Sequence, residues 1–246
     1  GGSDDASIRI IERYSAWISW WCSEKDRGQA HAINKGFARA TGDIVCWINS
    51  DDVLFAGTIW AVANRWTTAT SDDFWMVGGV EYYDEETRES KVDFQKPYYA
   101  LSDWISGPAQ LHQQGSFWSK AIATRVGSMR EDLHFGFDKE YFMRMLWHGY
   151  RFDCATDVIA ARYRQHDACK WKAQNDAFKY EWAQVALEYV ELQTVQNRRR
   201  QRDLHKELAY WKVRHSQDLR RTRVDRARCL VSALLMAPSF MTRRDF

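Results

Sequence analysis

The chain has 246 residues, 45% of them hydrophobic and 28% charged, with a formal net charge of +2. That length suits one substantial domain with an appendage, and no stretch approaches the roughly 20 apolar residues that a membrane span requires. The five cysteines (Cys22, Cys46, Cys154, Cys169 and Cys229) are scattered without a C-x-x-C spacing, which speaks for a reducing compartment and against a disulfide framework or zinc site.

The charge is unevenly spread. Residues 1–170 carry 19 Lys and Arg against 24 Asp and Glu, whereas residues 171–246 carry 16 against 9. An ordinary folded domain over 1–170 and a basic helical extension over 171–246 that meets anions are therefore expected. With 13 Trp, 11 Tyr and 12 Phe, there are rings enough for a large core and for a groove that stacks against flat ligands.

Gly1-Gly2-Ser3-Asp4-Asp5 reads as a turn rather than as a signal peptide. A short helical pattern through Ile8 and Ile11 follows, and Trp17–Cys22 reads as a strand. Asp26 with Gln29 has the form of a capping box. Ala30, Ile33, Phe37 and Ala40 make the stripe of one buried helix face, and Gly42 is placed to stop that helix. Ile44–Ile48 is an unbroken apolar run, as in a strand buried on both faces. Strand, helix and strand in that order predict a right-handed parallel crossover. Gly57 precedes a second helix with Ile59, Val62, Ala63 and Trp66 on its inner face, and Phe74–Tyr83 is a further buried strand. The cluster Asp84–Arg88 predicts a hairpin-like turn into a short strand near Val92.

Residues 95–115 lack periodicity but hold aromatics, glycines and amides, as functional loops do. Ser116–Trp118 reads as a short strand and Ala121–Val126 as a short helix closed by Gly127. Asp138 is placed to cap a helix over Lys139–Trp147 that buries Phe142, Met145 and Leu146. Tyr150–Phe152 and Val158–Tyr163 read as closing strands. From Gln174 the pattern is helical, with Phe178, Trp182, Val185, Tyr189 and Leu192 on one face. Arg198-Arg199-Arg200 and then Arg220, Arg221, Arg223, Arg226 and Arg228 precede the apolar run Leu230–Met236. A helical appendage that packs on the domain and touches an anionic bilayer surface, and a solvated or coiled-coil arm, both fit that composition. No nucleic-acid recognition motif accompanies the arginines, which argues against nucleic acid as a partner.

The chemistry gathers where the Ile44–Ile48 run ends in Asn49-Ser50-Asp51-Asp52. Ligands of open α/β sheets sit beyond the carboxyl ends of strands, and paired carboxylates there suit a hard divalent cation. A solvated turn whose aspartates cap the next helix is the alternative.

Several segments together carry a resemblance. The run from Ser23 to Ile44, with Asp26-Arg27-Gly28-Gln29-Ala30 at its head and Asn34-Lys35-Gly36 in its middle, closely resembles the core of family 2 glycosyltransferases of the GT-A fold. Asn49-Ser50-Asp51-Asp52 falls where that family keeps its metal-binding D-x-D-like motif. Gln113, Gln114, Phe117 and Trp118 resemble the segment before the acceptor site. Phe137-Asp138-Lys139-Glu140 resembles the segment that supplies a catalytic base, and Arg164-Gln165-His166 the closing Arg-x-His element.

The resemblance implies an α/β fold, a GT-A-like mixed sheet flanked by helices. It further implies a UDP- or GDP-sugar donor, Mg²⁺ or Mn²⁺, and inversion at the anomeric carbon. The acceptor would be a saccharide or lipid-linked saccharide of the kind used in cell-envelope polysaccharide synthesis, met in the cytoplasm or at the inner membrane face. On this resemblance Asp138 is the general base and Asp51 with His166 holds the metal. Asp26, Arg27, Gly28, Lys35, Asn49, Asp51 and Asp52 line the donor side, and Gln113, Gln114, Trp118 and Glu140 the acceptor side. Asn49 departs from the pattern, because an amide replaces the first acid and removes one charge.

Gly1-Gly2-Ser3-Asp4-Asp5 looks like the end of the family's Asp-Gly-Gly-Ser-x-Asp motif. The strand, helix and strand that precede this motif in the family are expected to be missing, and with them much of the nucleotide pocket. A non-catalytic binding or scaffold domain is therefore the competing expectation.

Overall fold

A computed structural model describes residues 1–106, 109–167, 169–170 and 175–192. The sheet is laid around β3 (Trp75–Asp84), whose first six residues are all buried. β5 (Ser116–Ser119) pairs antiparallel with the first half of β3, and β4 (Ser90–Asp93) pairs antiparallel with its second half. On the other side β6 (Asp153–Gln165) runs parallel to β3. β1 (Ile44–Val45) adds antiparallel to β5, and β2 (Val53–Leu54) antiparallel to β6, giving the order β1-β5-β3-β6-β2. The register between β3 and β6 shifts at Gly78 and Gly79. A Cβ on Gly79 would lie 2.6 Å from the ring of Phe94, and one on Gly78 2.8 Å from the Ala160 Cβ, so the close approach of the two strands at this bulge requires glycine.

Helices cover both faces, and alternate strand residues feed each side. Trp75, Val77, Trp118 and Val45 join the larger core, together with α2 (Gln29–Arg39), α4 (Leu101–Ser106), α5 (Lys120–Val126), α6 (Phe137–Trp147) and α7 (Asn175–Leu192). Met76 and Phe117 point to the smaller core under α3 (Thr58–Thr68). The larger core is aromatic: Trp47 stacks on Phe142 at 5.8 Å between ring centroids and meets Trp118 edge-on at 5.6 Å. Rings buried this way contribute roughly 1.5–3 kcal/mol each from removal of apolar surface, with about 0.5–1.5 kcal/mol more per well-oriented aromatic pair.

Several elements differ from their sequence expectation. The helix α1 covers Ser7–Arg13, but residues 18–27 run without a strand partner and leave Trp20 and Trp21 39% and 36% exposed. The parallel crossover through Trp17–Cys22 is therefore not formed among the described residues. Of the run Ile44–Ile48 only two residues join the ladder, and antiparallel. The run is nonetheless buried on both faces as expected. Ile44 and Cys46 face the smaller core while Val45 and Trp47 face the larger, and Ile48 is already exposed.

Asp26 does not form a capping box. It accepts from Gly28 N at 3.0 Å, while Gly28 itself, at φ 127°, is the N-cap of α2. On α3 the buried residues are Thr58 and Val62, and Ile59 is turned outward. The loop 95–115 contains α4 and a 3-10 turn over Gln113–Gly115. The expected strand Val158–Tyr163 lies within one longer strand, β6, and Tyr150–Phe152 precedes it without strand structure. α7 packs on the domain, as expected of the extension: Ala183, Val185, Ala186, Leu187 and Tyr189 belong to the larger core. Its expected stripe residues Val185 and Tyr189 are buried. The arginine-rich segments, Leu230–Met236 and the expected membrane contact lie outside the described residues.

Candidate active site

The turn after β1 sorts its side chains by geometry. Asp52 N donates to Asn49 O at 3.1 Å, closing a four-residue turn that aims Asn49 and Asp52 inward and Asp51 outward. Asp52, 8% exposed, accepts from Asn49 Nδ2 at 3.1 Å, Gln114 Nε2 at 3.0 Å and Arg164 N at 3.2 Å. Burial pushes its carboxyl above the usual carboxylate range, and these donors offset part of that. Asp52 therefore braces the turn to β6 and to the Gln113–Gly115 segment, and its oxygens are already committed.

Asn49 is a second brace. Its Oδ1 accepts from Gln29 Nε2 at 2.9 Å, so the turn is tied to the first residue of α2. Gln113, 6% exposed, donates to Trp47 O at 2.7 Å. The replacement of an acid by Asn49 thus has a structural reason, since an amide both donates to Asp52 and accepts from Gln29.

Asp51 faces the opening with His166, Oδ2 to Nε2 3.3 Å, at 42% and 29% side-chain exposure. The Cys169 sulfur completes a cluster whose donor atoms all lie within 4.8 Å of one another. Cys169 also takes His166 N at 3.3 Å, which ties the two residues to each other. Arg164 of the Arg-x-His element sends its guanidinium to Glu85, with Nε at 2.6 Å, and contributes only its backbone N–H to the turn. Cys169 went unsingled in the sequence, although its His-x-x-Cys spacing to His166 was the available signal.

On the facing side, the loop before α2 supplies Arg27, which pairs with Glu131 through Nε at 3.0 Å. Asp26 is held below its usual range, chiefly by the Gly28 N–H. Lys35 is engaged by Glu24 at 2.7 Å. Gly28 adjoins His134, and Lys170 Nζ bridges His134 O at 3.0 Å to Gln29 Oε1 at 3.5 Å. A continuous set of contacts therefore runs from the Asn49–Asp52 turn through Gln29 and Lys170 to the segment that starts α6.

Asp138 stands in the first turn of α6, two residues further in than the cap; the N-cap is Gly136. Its Oδ1 accepts from Lys139 N at 2.7 Å. The carboxyl keeps an opening to solvent yet is closely surrounded by protein, and desolvation pushes its pKa up to about 6. Backbone N–H groups and the Lys139 charge offset only part of that. A carboxylate of this basicity is ionised near neutral pH and still accepts a proton readily, as a general base must.

Two acceptor-side expectations are corrected. Trp118 is fully buried, ringed by Phe37, Trp47, Tyr141 and Phe142, so it is a core residue and offers no face to a ligand. Glu140 is 2% exposed and points into the protein, bonded to Arg144 Nε at 3.0 Å and to the Tyr189 hydroxyl at 2.8 Å. Glu140 turns inward here because Arg144 and the Tyr189 hydroxyl of α7 meet it on that side. Gln113 and Gln114 serve the turn, through Trp47 O and Asp52.

Residues 1–131 match the family model described as glycosyl transferase family 2. Two uncharacterized glycosyltransferases, from two strains of Mycobacterium tuberculosis, are each 24% identical over 146 residues, covering 58% of this chain and 54% of theirs. The chain spans about half the length of these curated relatives. In fold it is similar to S. aureus TarS residues 1–349 in complex with UDP, with a TM-score of 0.54 at 15% identity, covering 97% of this chain and 70% of that one. A longer TarS structure gives the same TM-score and covers 42% of that chain.

Proposed function

Because the chain belongs to glycosyl transferase family 2, we propose that it moves a sugar from a nucleotide-diphospho-sugar to an acceptor hydroxyl, with inversion. The carrying observation is Asp138, a carboxylate raised to about 6 by burial at the start of α6 and joined by contacts to the Asp51–His166 corner. In the proposed step the acceptor oxygen attacks the anomeric carbon while Asp138 takes its proton. The carbon–oxygen bond to the diphosphate breaks, and the electron pair leaves with the nucleoside diphosphate. Attack opposite to the leaving group inverts the centre.

Asp51, His166 and Cys169 fit a divalent cation by donor chemistry: one carboxylate oxygen, one imidazole nitrogen and one sulfur converge. A carboxylate and imidazole suit Mn²⁺ better than Mg²⁺, which favours oxygen alone. Bound there, the cation would act as a Lewis acid toward the charge that gathers on the diphosphate. The bound UDP of the TarS structure supports a uridine nucleotide as the first donor to test, with GDP second. Asp26, Arg27 and Gly28 flank the start of α2, whose unpaired N–H groups favour an anion. The acceptor is proposed to be a saccharide, free or lipid-linked, of an envelope polysaccharide.

Titration calorimetry with UDP or GDP, each with and without Mn²⁺, tests the site first. Metal-dependent binding of one nucleotide, followed by transfer of isotopically labelled sugar from the matching donors, is the expected result. A chain that binds neither nucleotide in the presence of Mn²⁺ would instead be a scaffold.

A further inference from the structure

The segment that launches α6 is held by a residue from far along the chain. Glu181 of α7 accepts three successive backbone N–H groups: His134 N through Oε2, and Phe135 N and Gly136 N through Oε1, each at 2.7 Å. Gly136 is the N-cap of α6, and Asp138 follows two residues later. Successive N–H groups at a helix start form an anion-binding concavity, and here the anion is an internal carboxylate. Such charge-assisted bonds are short and roughly twice as strong as neutral ones.

We propose that Glu181 is a positioning residue for Asp138: its clasp on residues 134–136 fixes where α6 begins and so where the base stands. The role rests on the reading of Asp138 as the general base. Glu181 lies beyond residues 1–131 that match the family model, so this support comes from α7 and not from the matched segment. Lys170 grips the same turn from the opposite side through His134 O, and Trp182 beside Glu181 holds the Lys139 ammonium 4.2 Å from its ring centroid. α7 thus engages the turn that precedes the base by hydrogen bonds and the residue that follows it, Lys139, through a side-chain contact.

The charged groups facing the Asp138 carboxyl are Lys139 on its own helix, which lowers its proton affinity, and Glu181 on α7, which raises it. Glu181→Gln keeps an acceptor oxygen and removes the charge, whereas Glu181→Ala removes both. In the full chain, Glu181→Ala should lower kcat about 10- to 100-fold, the loss expected when a reacting group is displaced by about an ångström. Mn²⁺-dependent nucleotide binding should stay within about twofold, because the Asp51 corner is untouched. Glu181→Gln should recover most of the rate and move the acidic limb of the kcat profile to lower pH. Direct ¹³C titration of the Asp138 carboxyl should show the same downward move. Loss of melting temperature with unchanged kcat per folded molecule, an unshifted profile and an unshifted ¹³C titration would overturn the proposal. If Glu181→Ala does not fold, Glu181→Gln still carries the pH-profile and ¹³C readouts, and an unshifted profile with an unshifted titration overturns the proposal. An Asp138→Asn control that retains transfer removes the general-base reading, while the ¹³C titration still tests whether Glu181 acts on Asp138.

Discussion

Asp52 and Asp138 are both carboxylates raised above their ordinary range by burial, and they differ in what surrounds them. Asp52 has gathered an Asn, a Gln and a backbone N–H, and its charge is spent on holding a turn together. Asp138 is met by backbone amides of its own turn and by the Lys139 charge, which offset only part of its desolvation, and the Glu181 carboxylate works against its ionisation. Burial with donors makes a structural carboxylate, and burial with fewer of them makes a basic one. The contrast also separates the two corners of the site. One corner is knit together by polar contacts to α2, to the Gln113–Gly115 turn and to β6, and the other is propped by α7.

The largest effect expected from breaking this contrast is at Asp138. Asp138→Asn should lower transfer about 10²–10⁴-fold, the range of general-base contributions, in a labelled-sugar assay. The same change should stabilise the fold. A folded pKa of about 6 against about 3.9 unfolded means that the folded state takes up a proton between those values. Stability therefore falls as pH rises from about 4 to 6, and the cost is full above about pH 6. Because the carboxyl keeps an opening to water, Asp138→Asn should gain about 1–2 kcal/mol at neutral pH and little near pH 4, as measured by urea unfolding at both.

Asp52→Ala should do the reverse. It strips the acceptor from Asn49, Gln114 and Arg164 N, and leaving such buried donors unmet costs about 2–3 kcal/mol in the same urea experiment. Activity per folded molecule should then fall through the displaced turn. A neutral or stabilising outcome at Asp52 would erase the distinction between the two carboxylates.

The smallest change in stability is expected at Asp51, which is 42% exposed and bonded to His166. Asp51→Ala should alter stability by no more than about 0.5 kcal/mol. Nucleotide binding should lose its response to Mn²⁺, with affinity down about tenfold or more by calorimetry. Full Mn²⁺ dependence in this variant would remove Asp51 from the metal corner.

Much of this protein was legible in its residues. The Ser23–Ile44 run, the turn at Asn49–Asp52, the strand Trp75–Asp84 and the helix start at Asp138 are local patterns, and local patterns follow from periodicity, turn chemistry and composition. Family membership was legible for the same reason, since it rests on short segments in a fixed order. What only the tertiary structure decided was which side chain of each pattern faces the site. Adjacent aspartates in one turn point opposite ways because Asp52 meets Arg164, 112 residues on. Trp118 and Glu140 turn inward because aromatic rings and Tyr189 wait for them there. The sulfur of Cys169 and the clasp of Glu181 likewise depend on contacts between distant elements, for which a linear pattern carries no period. A chain specifies its elements through neighbours in sequence, and it assigns roles to its polar groups through neighbours in space.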